Sequence, residues 1–245
     1  MKEGITAPTR CRIGEVVATP LTLEPPLFDP MFQNGARYRL GNGTEAMVEV
    51  QDAGTLNLAT GRVTACDPFW GAQVERQLAP FTVTVPPGRY PVTVSLARGL
   101  LDGPDPVPPL GAAVKLTIRE EPVAAWEVAL RPGQDPARLR QDQIYTMGVD
   151  SGHGSLLDAS AVGALAALDE PGSELDTLFE QVWSTEWANI VVDQASGLNV
   201  VVFHCGLGDG GYATRIGRNA AGGPASFVVD LLVFSDSHGP TTDRA

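Results

Sequence analysis

Lysine is almost missing from this chain of 245 residues: of 17 Lys and Arg in all, only Lys2 and Lys115 are lysines. The arginines are scattered, with no run denser than Arg138-Leu139-Arg140, and 29 Asp and Glu leave a formal net charge of -12. A chain this acidic, with no basic stretch, repels polyanions, which argues against nucleic acid as a partner. Cysteine is scarce as well. Cys11, Cys66 and Cys205 lie far apart and are odd in number, so neither a disulfide framework nor a CxxC metal pair can be built from them. No apolar run approaches the roughly 20 residues of a membrane-spanning helix, and the first segment has no signal-peptide core. The expectation is a cytoplasmic protein with reduced thiols and no membrane contact. A GxxxxGK[ST] loop is also missing, which excludes a P-loop.

What is present suits a folded core. The chain is 43% hydrophobic and 19% charged, enough for one large domain. Short β-branched runs occur at Met47 to Val50, Arg62 to Cys66, Phe81 to Val85, Val92 to Leu96, Val114 to Ile118 and Val123 to Leu130, most of them set off by Gly or Pro. Pro87 and Gly88 suit the central positions of a type II turn, so the runs on either side are expected to pair as a hairpin. Proline-rich connections follow at 100–111 and 130–140, and neither can be a buried strand.

Two helices are expected in the C-terminal half. Ser173 to Trp183 has a capping serine, Glu174 and Asp176 in the first turn, and an apolar stripe of Leu175, Leu178, Phe179 and Val182. An Ala-rich helix should cover Ala159 to Leu168, opened by Asp158 or Ser160. The expected fold is α+β: β-rich, with mostly antiparallel, sandwich-like sheets and these two helices inserted. It reads as a single domain over 1–245, with a β-rich part to about residue 135, an α+β part over about 136–236, and a flexible tail over 237–245.

The chemistry concentrates in two glycine-rich stretches. In Phe203-His-Cys-Gly-Leu-Gly-Asp-Gly-Gly-Tyr212, the preceding strand is apolar on both faces: Val201, Phe203 and Cys205 on one, Val200, Val202 and His204 on the other. Strand alternation therefore keeps His204 from serving Cys205 as a base. Gly206, Gly208 and Gly210 resemble a dinucleotide fingerprint, but a strand rather than a helix follows, which removes that reading. What remains is a turn whose amides can form a small anion nest and whose Asp209 can meet a cation.

Met147-Gly-Val-Asp-Ser-Gly-His-Gly-Ser-Leu-Leu-Asp158 is similar: a strand ending at Asp150, a glycine turn with His153, then Asp158 before a helix. Its spacing is not that of an EF-hand. The plainer reading makes Asp150, with Ser151, a turn former and Asp158 a helix cap; the sharper one makes Asp150, Asp158 and Asp209 candidate ligands of a divalent cation. His153 and Cys205 are the catalytic candidates, and Gly152, Gly208, Gly210 and Tyr212 the candidate ligand contacts. Asp230, the only charge in an apolar strand, is read as a buried structural charge in need of a partner.

The segments GRVTACDPF (61–69), FTVTVPPGRYPVTVSLA (81–97), VAAWEVAL (123–130), YTMGVDSGHGSLLDA (145–159) and GLGDGGYATRIGRNAAGGPASFVVDLLVF (206–234) resemble a bacterial family of uncharacterised proteins, domain of unknown function 4241. The resemblance implies weight at Asp67, Asp150, Gly152, Asp209, Gly210, Tyr212 and Asp230. It departs from the family pattern at Cys205, where serine is often found, at Leu207, where tryptophan is, and at Leu231 in place of an aromatic. A cysteine exchangeable with serine speaks against an obligatory thiolate ligand, while a Ser or Cys nucleophile would survive the exchange.

Three readings stay open. The favoured one is a binding or interaction module, regulatory or toxin-neutralising, that sets its acidic surface against a basic protein partner. The second is a metal-assisted hydrolase with Asp150, Asp209 and Asp158 around a cation and His153 as acid or base. The third is a non-catalytic binder of a small ligand built on the two glycine turns.

Overall fold

The computed structural model describes residues 17–18, 27–69, 79–99, 109–140, 143–168, 182, 185–235, 237 and 239–241. The helix expected over Ser173 to Trp183 lies outside the described residues except for Val182, which is helical and buried. Cys11 and most of the proline-rich segment 100–111 lie outside them too.

In chain order the strands are β1 (Val17–Ala18), β2 (Arg37–Arg39), β3 (Glu45–Leu58), β4 (Val63–Cys66), β5 (Gly88–Arg98), β6 (Leu110–Thr117), β7 (Ala125–Val128) and β8 (Gln143–Ile144). They continue as β9 (Met147–Val149), β10 (His153–Asp158), β11 (Trp187–Asp193), β12 (Leu198–His204), β13 (Gly210–Tyr212), β14 (Thr214–Arg218) and β15 (Pro224–Asp230). A short helix α1 (Phe28–Met31) precedes β2, and α2 (Val162–Leu168) follows β10 through a 3-10 turn at Ala159–Ala161.

The fold is β-rich and antiparallel. Seven strands in the order β2-β3-β5-β6-β15-β14-β7 curl into a half-barrel, and four more form the sheet β11-β12-β10-β4. Two ribbons, β9-β13 and β1-β8, complete it. The large sheet joins strands from before and after the proline-rich connection at 130–140.

Side-chain alternation explains the layering. Leu56, Val94, Leu116, Ile216 and Phe227 of the large sheet share one buried cluster with Val63, Leu156, Val201, Phe203 and Cys205 of the smaller sheet or its continuation. The opposite face of β12, with Val200 and Val202, packs with Leu165 of α2 in a second cluster. β12 thus lies between two apolar layers, as its two-faced sequence predicts. A third cluster covers the outer face of the large sheet, where Phe28 and Met31 of α1 pack with Tyr38, Val228 and Phe234.

The two sheets are also stitched by polar side chains. β3 shifts register between Asp52 and Thr55, and Gly54 there takes φ +77, a conformation that favours glycine. The carbonyls freed by this bulge are met from the facing sheet: Asn189 Nδ2 donates to Ala53 O at 2.8 Å, and Asn199 Nδ2 to Thr55 O at 2.8 Å. Asn57 N in turn donates to Asn199 Oδ1 at 2.8 Å. A bulge left buried without these partners would be costly.

Several local expectations are corrected. Phe81–Val85 is no strand; it makes one isolated bridge, Arg62 to Thr84, and Gly88 opens β5 opposite Leu58 instead of turning a hairpin. The neighbour that wins is the long strand β3, whose 14 residues give β5 a better partner than a five-residue run could. His153 does not sit in a loop but begins β10, a strand buried along its whole length. β11 was not anticipated, although Ala188-Asn-Ile-Val-Val192 is an apolar run of strand length. Of the described residues past Ser237, Pro240 bridges to Tyr38 and Thr241 N donates to Arg37 O at 2.7 Å.

Candidate functional site

The two glycine turns stand side by side. In the β9-β13 ribbon Met147 faces Tyr212, Gly148 faces Gly211 and Val149 faces Gly210, so the chain leaves one strand at Asp150 where it enters the other from Asp209. Both aspartates are exposed. Two residues before Asp209 in the second turn, Leu207 is 59% exposed, one of the few large apolar side chains among the described residues that reach solvent.

A single buried carboxylate holds the first turn. Asp67, 1% exposed at the end of β4, accepts from Asp150 N at 2.8 Å, Ser151 N at 2.9 Å and Ser151 Oγ at 2.8 Å, and closes its own turn by accepting from Phe69 N at 2.9 Å. Four donors on one carboxylate compensate its burial. The second turn is tied to the first through the backbone: Cys205 N donates to Gly152 O at 2.8 Å and Gly208 N to Cys205 O at 2.6 Å. Tyr212, 2% exposed, donates its hydroxyl to Gly208 O at 2.7 Å, and burial raises its phenol further above its ordinary range. Of the candidate ligand contacts, then, Gly152, Gly208 and Tyr212 spend these groups on the turns, and Gly210 is in the ladder with Val149.

Gly206 has a packing role. A methyl at this position would run into Gly111 O, and one on Gly111 into His204 O, so this glycine pair lets β6 approach the end of β12.

Asp158 lies at the far end of β10 from His153. Its carboxylate is fully buried and accepts from Thr60 N and Oγ1, from Ser160 N at 2.9 Å and from Ser160 Oγ at 2.6 Å. Burial pushes its acidity toward weaker, and these bonds outweigh that and hold it below the ordinary carboxylate value. It is a cap and a loop brace. Asp150, Asp209 and Asp158 therefore do not share a centre, and among the described residues no group of three His, Cys, Asp or Glu is arranged to hold a metal ion.

His153 is buried with its Nδ1 2.7 Å from Ser151 O; since a carbonyl only accepts, the proton sits on Nδ1. The Ser151 hydroxyl spends its proton on Asp67. Cys205 is fully buried in the core on the other face of β12 from His204, and burial raises its thiol well above the ordinary value. A thiol so protonated is a poor nucleophile.

One constellation was missed. His204 Nδ1 lies 3.7 Å from Glu186 Oε2, too long for a hydrogen bond, and the His204 ring meets that of His153 edge-on at 5.3 Å between centroids. Glu186 holds φ 67, rare for a side chain with a Cβ. The cause is local: Glu186 N donates to Val182 O, closing a helical turn, and Glu186 O accepts from His204 N, so the residue takes the left-handed cap conformation that glycine usually fills. Burial raises the Glu186 carboxyl, while burial and then the neighbouring His153 lower the His204 imidazole. The sequence signal was the run after Trp187, which marks β11 and so brings Glu186 beside the end of β12.

Asp230 is buried, its carboxyl raised by burial despite a bond accepted from Leu232 N at 2.9 Å and the pull of the Arg215 guanidinium. Arg215 thus lies close enough for its charge to act on Asp230.

Comparison with known proteins places most of this region in one family. The model of the family described as "Protein of unknown function (DUF4241)" matches residues 56–229, and the chain belongs to that family. No curated protein and no solved structure matches the chain.

Proposed function

We propose, starting from membership in that family, that the protein is a binding module that docks a basic protein partner through the tip formed by its two glycine turns. The observation that carries this reading is the β9-β13 pairing, which brings the ends of the two turns together at exposed Asp150 and exposed Asp209, with the 59% exposed Leu207 in the second turn. Two exposed carboxylates and an exposed apolar side chain on the same pair of turns suit a partner that offers arginine or lysine together with an apolar surface. The net charge of -12 adds long-range attraction for the same class of partner. The reactive groups near the tip serve its construction instead: Asp67 braces the first turn, and the Cys205 thiol is packed in the core. A regulatory or toxin-neutralising role fits such a module.

The test is affinity capture from native lysate with the intact chain and two variants, Asp150→Asn/Asp209→Asn and Leu207→Asp. A stoichiometric basic partner held by the wild type, and lost with both variants while they remain folded, is the expected result. No stoichiometric partner, or equal capture by all three, contradicts the proposal.

A further inference from the structure

The outer face of the seven-stranded sheet carries a groove of about 330 Å³, built from elements other than the glycine turns. Its floor is Lys115 and Thr117 of β6, Ser226 of β15 and Trp126 of β7; α1, with Phe28 and Asp29, forms one wall and the segment 119–123 the other. That volume is in the range of small-ligand sites, roughly 300 to 1,000 Å³.

Three features of the floor ask for an explanation. Lys115 is the only lysine among the described residues, and its ammonium is drawn over the Phe32 ring, 4.4 Å from the centroid, where burial makes it easier to deprotonate. No carboxylate among the described residues comes within ion-pair distance of it, although Asp29 and Glu120 act on it from farther away. Ser226 is 5% exposed, and its hydroxyl has no hydrogen-bond partner among the described residues, an arrangement native proteins seldom leave without a use. Trp126 keeps a half-exposed indole, its ring 4.6 Å from that of Phe28.

The charges select the ligand class. A simple anion attracted to Lys115 and Arg119 meets Asp29, Glu120 and Glu121 on the same walls, and a simple cation meets Lys115 on the floor. A molecule carrying both charges satisfies both sets, and its apolar part has the Trp126 and Phe28 rings to lie against. We propose that this groove binds a small zwitterion of the α-amino-acid class with an apolar or aromatic body. The carboxylate takes Lys115 and the polar floor at Ser226, the ammonium takes Asp29 and Glu120, and the side chain lies on Trp126. This site does not depend on the docking tip.

The test uses the full chain, with L-phenylalanine as probe and tryptophan fluorescence and titration calorimetry as readouts. A saturable response at up to about 10 mM is expected, since a solvent-open site of this size binds weakly. N-acetyl-L-phenylalanine, which lacks the cation, and L-phenylalaninamide, which lacks the anion, should each bind at least tenfold more weakly. Lys115→Met should weaken phenylalanine binding at least tenfold, and Asp29→Asn, an exposed change that leaves the core intact, should also weaken it. Trp126→Phe should abolish the fluorescence response. The proposal is overturned if phenylalanine gives no saturable response, if either one-charge analogue binds as tightly as phenylalanine, or if the folded Asp29→Asn and Lys115→Met variants bind it unchanged.

Discussion

His153 and His204 face each other across the β10-β12 pair, register partners with rings edge-on at 5.3 Å. Burial lowers both imidazoles below their ordinary 6.5, and for His204 the second ring adds to it. The folded state therefore resists protonation that the unfolded chain accepts, so stability falls as pH drops below 6.5 and levels off once the folded-state values are passed. Glu186 opposes this, because its raised carboxyl keeps a proton to higher pH when folded. In a Glu186→Gln background, the urea midpoint should fall between about pH 7.5 and about pH 5.5, and adding His204→Gln should make the fall shallower. An unchanged slope would contradict the paired-histidine account.

Asp158 joins the loop at Thr60 to the start of the 3-10 turn at Ser160. Its folded value is depressed, so its contribution is present above 3.8 and is lost as pH falls through the folded value. Asp158→Ala should cost about 3 kcal/mol by chemical denaturation at neutral pH. Adding divalent cations should not shift the wild-type melting temperature through this residue, whose oxygens are already engaged.

The two glycines of the second turn should behave differently. Gly206→Ala drives a methyl into the Gly111 backbone and is expected to cost at least about 2 kcal/mol. Gly208 has φ +80 and open space around it, so Gly208→Ala should cost only about 1 kcal/mol of backbone strain. Equal costs, measured by urea denaturation, would show that the sheet contact at Gly111 is misjudged.

Much of this was legible from side-chain pattern alone. β12 reads as a central strand because both of its faces are apolar, and both faces are packed; Asp158 reads as a cap and caps. The failures share a cause. Phe81 to Val85 has strand composition but loses its partner to β3, and pairing is decided by residues distant in sequence. His153 looked like a turn residue because glycines surround it, yet Gly154 lies against the Phe203 and Met147 side chains, a close approach that only the folded sheet reveals. For Glu186 the run after Trp187 signals the strand, but its cap conformation and its neighbour His204 at the end of β12 appear only in the fold.

Thiol chemistry offers a further check. Burial pushes Cys66 up to about 11 and Cys205 well above its ordinary value. In a Cys11→Ser background, iodoacetamide at about pH 8 should label the native protein no faster than it unfolds. Rapid labelling of Cys205 would restore it as a reactive centre.

The central claim is that the paired glycine turns are the surface at which the protein meets its partner. Hydrogen exchange on the captured complex, compared with the free chain, tests it most directly. The account predicts added protection at residues 150–152 and 206–211; protection confined to other surfaces, with these turns unchanged, would contradict it.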